Sequence, residues 1–269
     1  MARAGFNPLR RNRNIGTAKQ GHGQDNRLVI PELVNCSRRW TERLGRHQQI
    51  QRVVGGREII FIVEETSGGC FHACSVDDVR HVLAHLPAAD WEGLDTFVLR
   101  QSTRKQRTLR PAWGRLLYSA DLGVPGRAAK RIGPAVILEA VDCKAKRRWP
   151  SSLDPDDQAE LERLKADGHV VERIGRQHVF STPPEAARAT QLYRTLLHEI
   201  GHWVEWLSKV ERPSERGGDF DSLCEAYFQR PKDEREAFAH RYADQARERL
   251  TRFGVMPFER LELRPPVQR

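Results

Sequence analysis

No apolar stretch in this 269-residue chain approaches the roughly 20 consecutive residues needed to span a bilayer, so no transmembrane helix is expected. The amino terminus, MARAGFNPLRRNRNIG, carries basic residues with no apolar segment behind them, which does not read as a secretory signal peptide. Cysteine is scarce. The five residues Cys36, Cys70, Cys74, Cys143 and Cys224 are odd in number and mostly scattered. That argues against a disulfide framework and for a reducing compartment, hence a cytoplasmic protein. Cys70 and Cys74 flank His72 at a C-x3-C spacing, but no second pair follows, so they read as half-buried thiols rather than a structural metal site. Internal repeats are absent, as are helix-turn-helix, zinc-finger and RNA-binding signatures.

What is there fits a globular chain: 39% hydrophobic and 30% charged residues. Residues 1–27 mix Arg, Asn, Gly and Gln with almost no apolar side chains and are expected to form a disordered basic tail. A single domain is expected over 28–269, with a mostly β/α part to residue 150 and a helical part over 151–269. The net charge of +9 resides in one segment, Arg100 to Arg148, where 13 Lys/Arg face only Asp121, Glu139 and Asp142. Strands are expected at Glu58–Glu64, Thr96–Arg100, Gly114–Ser119 and Pro134–Val141. Cys70–Cys74 is expected to pair with the first of these across the Ser67-Gly68-Gly69 turn. Ser75 and Asp78 form a capping box before a helix with Val76, Val79, Val82, Leu83 and Leu86 on one face. A second helix is expected over 155–166, a hairpin through Gly175, a long helix from Pro184 to about Lys209, and a last one from Pro231 to about Phe253. Strands mixed with a helix first, then mainly helices, make an α+β pattern.

The long helix contains His198-Glu199-Ile200-Gly201-His202. Helical residues four apart are offset by only about 40° and sit one turn above each other, with Cβ atoms roughly 5–6 Å apart. Two imidazoles can therefore converge on one zinc, and Glu199, about 60° around from His202, points beside the metal rather than at it. There it can take a proton from water activated by the zinc, which is general-base chemistry at a catalytic-type site. Leu192, Leu196, Ile200, Trp203 and Leu207 mark this helix as packed. Gly201 in its interior, at about 1 kcal/mol relative to Ala, points to close approach of another element.

A third ligand must come from elsewhere, because WVEWLSKVE follows His202 and offers no third histidine. The best candidate is Glu236, which shares a helical face with Ala239, His240 and Ala243. Glu225 and Glu234 remain alternatives. Small alanines would let the last helix come close, and His240 could support a ligand from behind.

HEIGH followed by a helix reading E-A-F-A-x-x-Y-A resembles the gluzincin branch of the zincin metallopeptidases, including compact members and catalytic domains similar to anthrax lethal factor. The resemblance implies a zincin-like α+β fold with a small mixed sheet packed on the active-site helix. It also implies Glu236 as third zinc ligand and an edge strand that binds extended peptide, a role that TFVLR, GRLLYS and PAVILEAV fit. Glu225 has a spacing similar to thermolysin-like enzymes, but Gln229 stands where those have a supporting Asp. Tyr227 is a candidate donor to the oxyanion of the transition state, as tyrosines are in such families.

The function expected is zinc-dependent hydrolysis of peptide bonds, with His198, His202 and Glu236 as ligands, Glu199 as base and a protein or peptide as substrate. The rival is a zinc-containing protein that associates with nucleic acid, or binds a partner, on a metallopeptidase scaffold. The basic segment 100–148 is the feature that would serve weak nucleic-acid binding.

Overall fold

The computed structural model describes residues 40–109, 111–123 and 131–262, all within one compact unit, Cys36–Arg269. The expected tail over residues 1–27 lies outside the described residues. Six strands form one mixed sheet: β1 (Trp40–Arg43), β2 (His47–Val54), β3 (Arg57–Glu64), β4 (Thr96–Arg100), β5 (Gly114–Gly123) and β6 (Arg131–Glu139). Their spatial order is β1-β5-β6-β4-β3-β2. Strands β3, β4 and β6 run parallel, while β2 and β5 are antiparallel to their neighbours β3 and β6.

Side chains alternate across this sheet with period two. Ile59, Phe61, Phe97, Leu99, Val136 and Leu138 belong to the main core, whereas Ile60, Ile62, Val98, Leu117 and Ile137 form a second cluster. Both faces of β4 are covered and all five of its residues are buried, which is why TFVLR is an almost continuous apolar run. Fully burying Phe61 or Phe97 contributes about 1.5–3 kcal/mol each.

Between β3 and β4 lies α1 (Val76–His85). Its capping box forms as the sequence implied, with Ser75 accepting from the Asp78 N–H and Asp78 accepting from the Ser75 N–H. The Cys70–Cys74 segment does not pair with β3: Phe71 instead makes an antiparallel bridge to Val141, beyond the end of β6. A short helix, α2 (Arg104–Leu109), follows β4. After β6 come β7 (Arg147–Pro150), α3 (Pro155–Ala166), β8 (Val170–Ile174) and β9 (Gln177–Ser181), the strands forming a separate antiparallel sheet in the order β7-β9-β8. Helix α3 opens on an Asp154 cap and Pro155, as its acidic start suggested. The β8–β9 hairpin turns at Gly175, whose φ of 59° favours glycine.

The helical part contains α4 (Pro184–Thr190), α5 (Leu196–Trp206), α6 (Arg212–Glu215), α7 (Phe220–Gln229) and α8 (Lys232–Arg252). Two π-turns, Gln191–Thr195 and Leu207–Glu211, join α4, α5 and α6 into one continuous run, each marked by an i→i−5 bond. The helix therefore continues past Pro213 rather than ending near Lys209. Helix α7 lies between the two expected helices and opens on an Asp219 cap, which Gly217 and Gly218 just before it obscure in the sequence. Among the described residues no helix is long and apolar enough to cross a membrane.

Cys70, Cys74 and Cys143 are free, but Cys224, on α7, is disulfide-bonded. One bonded cysteine beside three free ones is not a disulfide framework. Chain spacing cannot reveal which cysteine the fold brings to which.

Asp78 does more than cap α1. Its buried carboxylate takes two bonds from Arg188 on α4, at 3.1 and 2.9 Å, and another from the Leu261 N–H at 2.9 Å. Arg188 also donates to the Phe258 carbonyl at 2.8 Å, so one ion pair clasps α1, α4 and the segment after α8. Burial alone would raise the Asp78 pKa, but Arg188 and the N–H groups of Leu261 and Ser75 outweigh it and hold the group below its usual value. Asp78→Asn, which leaves Arg188 poorly paired, is expected to cost about 3 kcal/mol in urea unfolding at neutral pH. Because the folded-state pKa is depressed, this contribution is complete above the unfolded value of about 3.9 and is lost as pH falls through the folded one. The gap between wild type and variant should therefore hold from pH 7 to 5 and narrow below about pH 4.

Candidate metal centre and its carboxylate

Helices α5 and α8 cross at Gly201. A Cβ added there would stand 3.0 Å from both Cα and O of Ala239 and 3.1 Å from Cβ of Tyr242, closer than side-chain carbons normally approach backbone. Ala239 and Ala243 are buried along the facing stripe of α8. The small residues on both helices thus set the spacing, and that spacing brings Glu236, one turn before Ala239, over the two histidines.

The Glu236 carboxylate oxygen Oε2 lies 3.2 Å from His198 Nε2 and 3.7 Å from His202 Nε2. All three ligand atoms fall within 4.8 Å of one another, the one such group of His, Cys, Asp and Glu among the described residues, and they can hold a metal ion. Donors at about 2.0–2.1 Å from a tetrahedral ion lie roughly 3.3 Å apart, and the two separations from Glu236 are of that order. The neighbouring imidazoles of His198 and His202 hold the Glu236 pKa well below the usual carboxylate range. The alternatives are placed elsewhere: Glu225 is exposed and accepts from Gln229, and Glu234 is exposed and pairs with Arg230.

The imidazoles are held by packing. His198 lies against His202 and His240, with ring centroids 4.6 and 4.4 Å apart, while both Nδ1 atoms are buried without a hydrogen-bond partner. His240 therefore supports His198 by ring contact. Burial, with the charges of His198 and Arg163, lowers its pKa to about 4, so the ring is neutral at physiological pH.

Glu199 is buried and outside the ligand triad. Its Oε2 accepts the backbone N–H of Leu116 on β5 at 2.7 Å. Burial raises its pKa, although His198, His202 and the Leu116 N–H act in the opposite direction. Strand β5 runs alongside the helix in step with its turns. The Gln191 side chain donates to the Trp113 carbonyl at 3.0 Å, Thr195 stands where a Gly114 Cβ would be, and Glu199 takes the Leu116 N–H. Eight helical residues rise about 12 Å and three strand residues about 10 Å, which explains the match. From Gly114 to Ser119 the side of β5 away from β6 has no strand partner among the described residues, since β1 pairs only with Ala120–Gly123. TFVLR (β4) and PAVILEAV (β6) lie inside the sheet and cannot serve as an edge; GRLLYS (β5) can.

Tyr227 does not join the triad. It is buried, its hydroxyl 2.9 Å from that of Tyr118 and 3.3 Å from Oε2 of Glu205. Glu205, overlooked in the sequence, is a buried carboxylate on α5 paired with Arg230 at 2.6 Å. These contacts make Tyr227 a packed tyrosine between α7, β5 and α5, and its hydroxyl is engaged by Tyr118 and Glu205. Its spacing after HEIGH could not distinguish such packing from the expected role at the oxyanion.

The basic segment is dispersed by the fold. Arg100 and Arg115 turn toward the buried Glu139, at 3.7 and 2.7 Å, and the Arg147 guanidinium lies 4.6 Å over the Trp113 ring. Arg104 and Lys105 are exposed on α2, Lys144 and Lys146 on the loop before β7, and Arg110, Arg127 and Lys130 lie outside the described residues. No family model, curated protein or solved structure matches the chain.

Gly201→Ala tests the helix contact. Alanine gains about 1 kcal/mol in helix propensity, but the clash with Ala239 should cost more, leaving the protein less stable by about 1–2 kcal/mol. Thermal unfolding that shows equal or greater stability would mean that the two helices are not held at this distance.

Proposed function

We propose that the protein is a zinc-dependent metallopeptidase in which His198, His202 and Glu236 hold the metal and Glu199 moves the proton. The observation that carries this reading is Glu199: a buried carboxylate beside the triad, not part of it, and anchored to an edge strand. A purely structural site has no use for such a group. The rival, a zinc protein that associates with nucleic acid or a partner, draws less support because Arg100, Arg115 and Arg147 are engaged within the fold.

When bound, zinc supplies Lewis acidity, lowering the pKa of water to about 7 and polarising a carbonyl oxygen. Glu199 accepts the proton of the attacking water and delivers it to the leaving amine. The Leu116 N–H fixes one of its oxygens and leaves the other for the proton. Burial makes it a stronger base than an exposed glutamate. On the unpaired side of β5, the backbone groups other than the Leu116 N–H, which Glu199 occupies, can take an extended peptide and align a scissile bond with Glu199.

Glu199→Gln should retain zinc and lose turnover by about 10²–10⁴-fold on any peptide that wild type cleaves. Equal activity of the two proteins would refute this role for Glu199. Zinc at about 100 times its Kd should stabilise wild type by about 2.7 kcal/mol, and this shift should vanish in His198→Ala and His202→Ala. Chelator competition should show Glu236→Ala weakening zinc by about 100-fold or more, and Glu234→Ala hardly at all.

A further inference from the structure

A crevice of about 200 Å³ lies at the start of β5, walled by Trp113, Trp149, Phe180 and Leu164, with Arg147 and His169 among its other lining residues. It is aromatic on three sides. The Trp149 and Phe180 rings pack edge to face with centroids 4.8 Å apart, His169 lies edge-on to Trp113 at 5.3 Å, and Arg147 stacks over Trp113. The carboxylate on its rim, Glu160, has both oxygens held by Arg194 at 2.9 and 2.7 Å, so it does not stand as a free negative charge. His169 bonds through Nε2 to Thr190, and burial lowers its pKa to about 4, which keeps that wall neutral at physiological pH. The volume is several times a water's share of the liquid, roughly 30 Å³, and suits one bulky side chain.

Its position carries the argument further. Trp113 precedes β5, and Leu116, three residues on, bonds the carboxylate beside the metal triad. Three residues of extended chain span about 10 Å, for a strand of the protein and for a peptide lying along it alike. We infer that this crevice is a specificity pocket that receives a large apolar or aromatic side chain of the substrate, about three residues from the scissile bond. The inference rests on the metallopeptidase reading and on β5 as the docking edge. Trp113 and Trp149 supply apolar faces for an aromatic or long aliphatic group, and the Arg147 cation over one of them favours a π-face. A small or acidic side chain would leave those walls wet or unpaired.

The experiment is to digest a random-sequence synthetic peptide library with the zinc-loaded full chain and map the cut sites by mass spectrometry. Two peptides follow that differ only in Phe or Ala at the enriched position. The pocket predicts enrichment of Phe, Tyr, Trp, Leu or Met near the third residue on one side of the cut. Trp149→Ala, which opens the crevice, and Ala112→Phe, which fills it from its exposed rim, should each lower the Phe-to-Ala ratio of kcat/KM at least tenfold. Zinc content of each variant serves as the check on folding. If both variants fail that check, the wild-type cut-site pattern alone decides. Cleavage without enrichment at that distance, or an unchanged ratio in folded variants, overturns the pocket and leaves the peptidase reading standing. Zinc-loaded wild type that cuts nothing in the library overturns the peptidase reading and the pocket with it.

Discussion

The site depends on how closely α5 and α8 approach each other. A metal site drawn from two helices tolerates errors of only about 0.2 Å in its ligand distances, so the helix spacing must be fixed by something stiffer than the ligands. Backbone contact supplies that: Gly201 has no side chain to hold Ala239 away, and a Cβ at position 201 would already be 3.0 Å from it. The glycine costs α5 about 1 kcal/mol of helix propensity, and packing along the Ala239–Ala243 stripe offsets it. Glu236 reaches His198 and His202 because it is one turn along α8 from this contact. Moving the contact by one residue would rotate Glu236 by about 100° away from the histidines.

A second registration, between α5 and β5, decides what the carboxylate beside the triad can do. The π-turn at Gln191–Thr195 lengthens the turn before HEIGH without breaking the helix, and Gln191, Thr195 and Glu199 all meet the same strand. The Leu116 N–H then orients Glu199, and the strand shields it from water. Desolvation makes the group more basic while the hydrogen bond and the neighbouring imidazoles restrain the shift. The same alignment connects the His198, His202 and Glu236 triad to the aromatic crevice at Trp113, so one strand would serve docking, orientation and selection. The charged segment contributes to the fold more than to a surface: Glu139 collects Arg100 and Arg115 beneath the sheet.

Local patterns were legible where short-range physics sets them. The capping box at Ser75, the Asp154-Pro155 start of α3, the hairpin at Gly175 and the buried run TFVLR all follow from residues within one turn or one strand of each other. The pairing of the Cys70–Cys74 segment did not, because Phe71 finds its partner at Val141, 70 positions away. Helix α7 was hidden by the glycines before it.

By itself the sequence determined that His198 and His202 stand one above the other with Glu199 beside them, since helical periodicity places residues four apart on one face whatever surrounds them. It also narrowed the third ligand to Glu236, Glu225 or Glu234, and the stripe Glu236, Ala239, His240 and Ala243 favoured the first. Only the tertiary structure brings one of them, Glu236, within reach of both histidines, because helix geometry gives a side chain its direction but not its distance from another helix. The fold likewise assigned Tyr227 to the core, made β5 rather than β4 or β6 the edge, and spent Arg100 and Arg115 on Glu139. Each of these is a contact between residues far apart in the chain, fixed when the layers pack and not before.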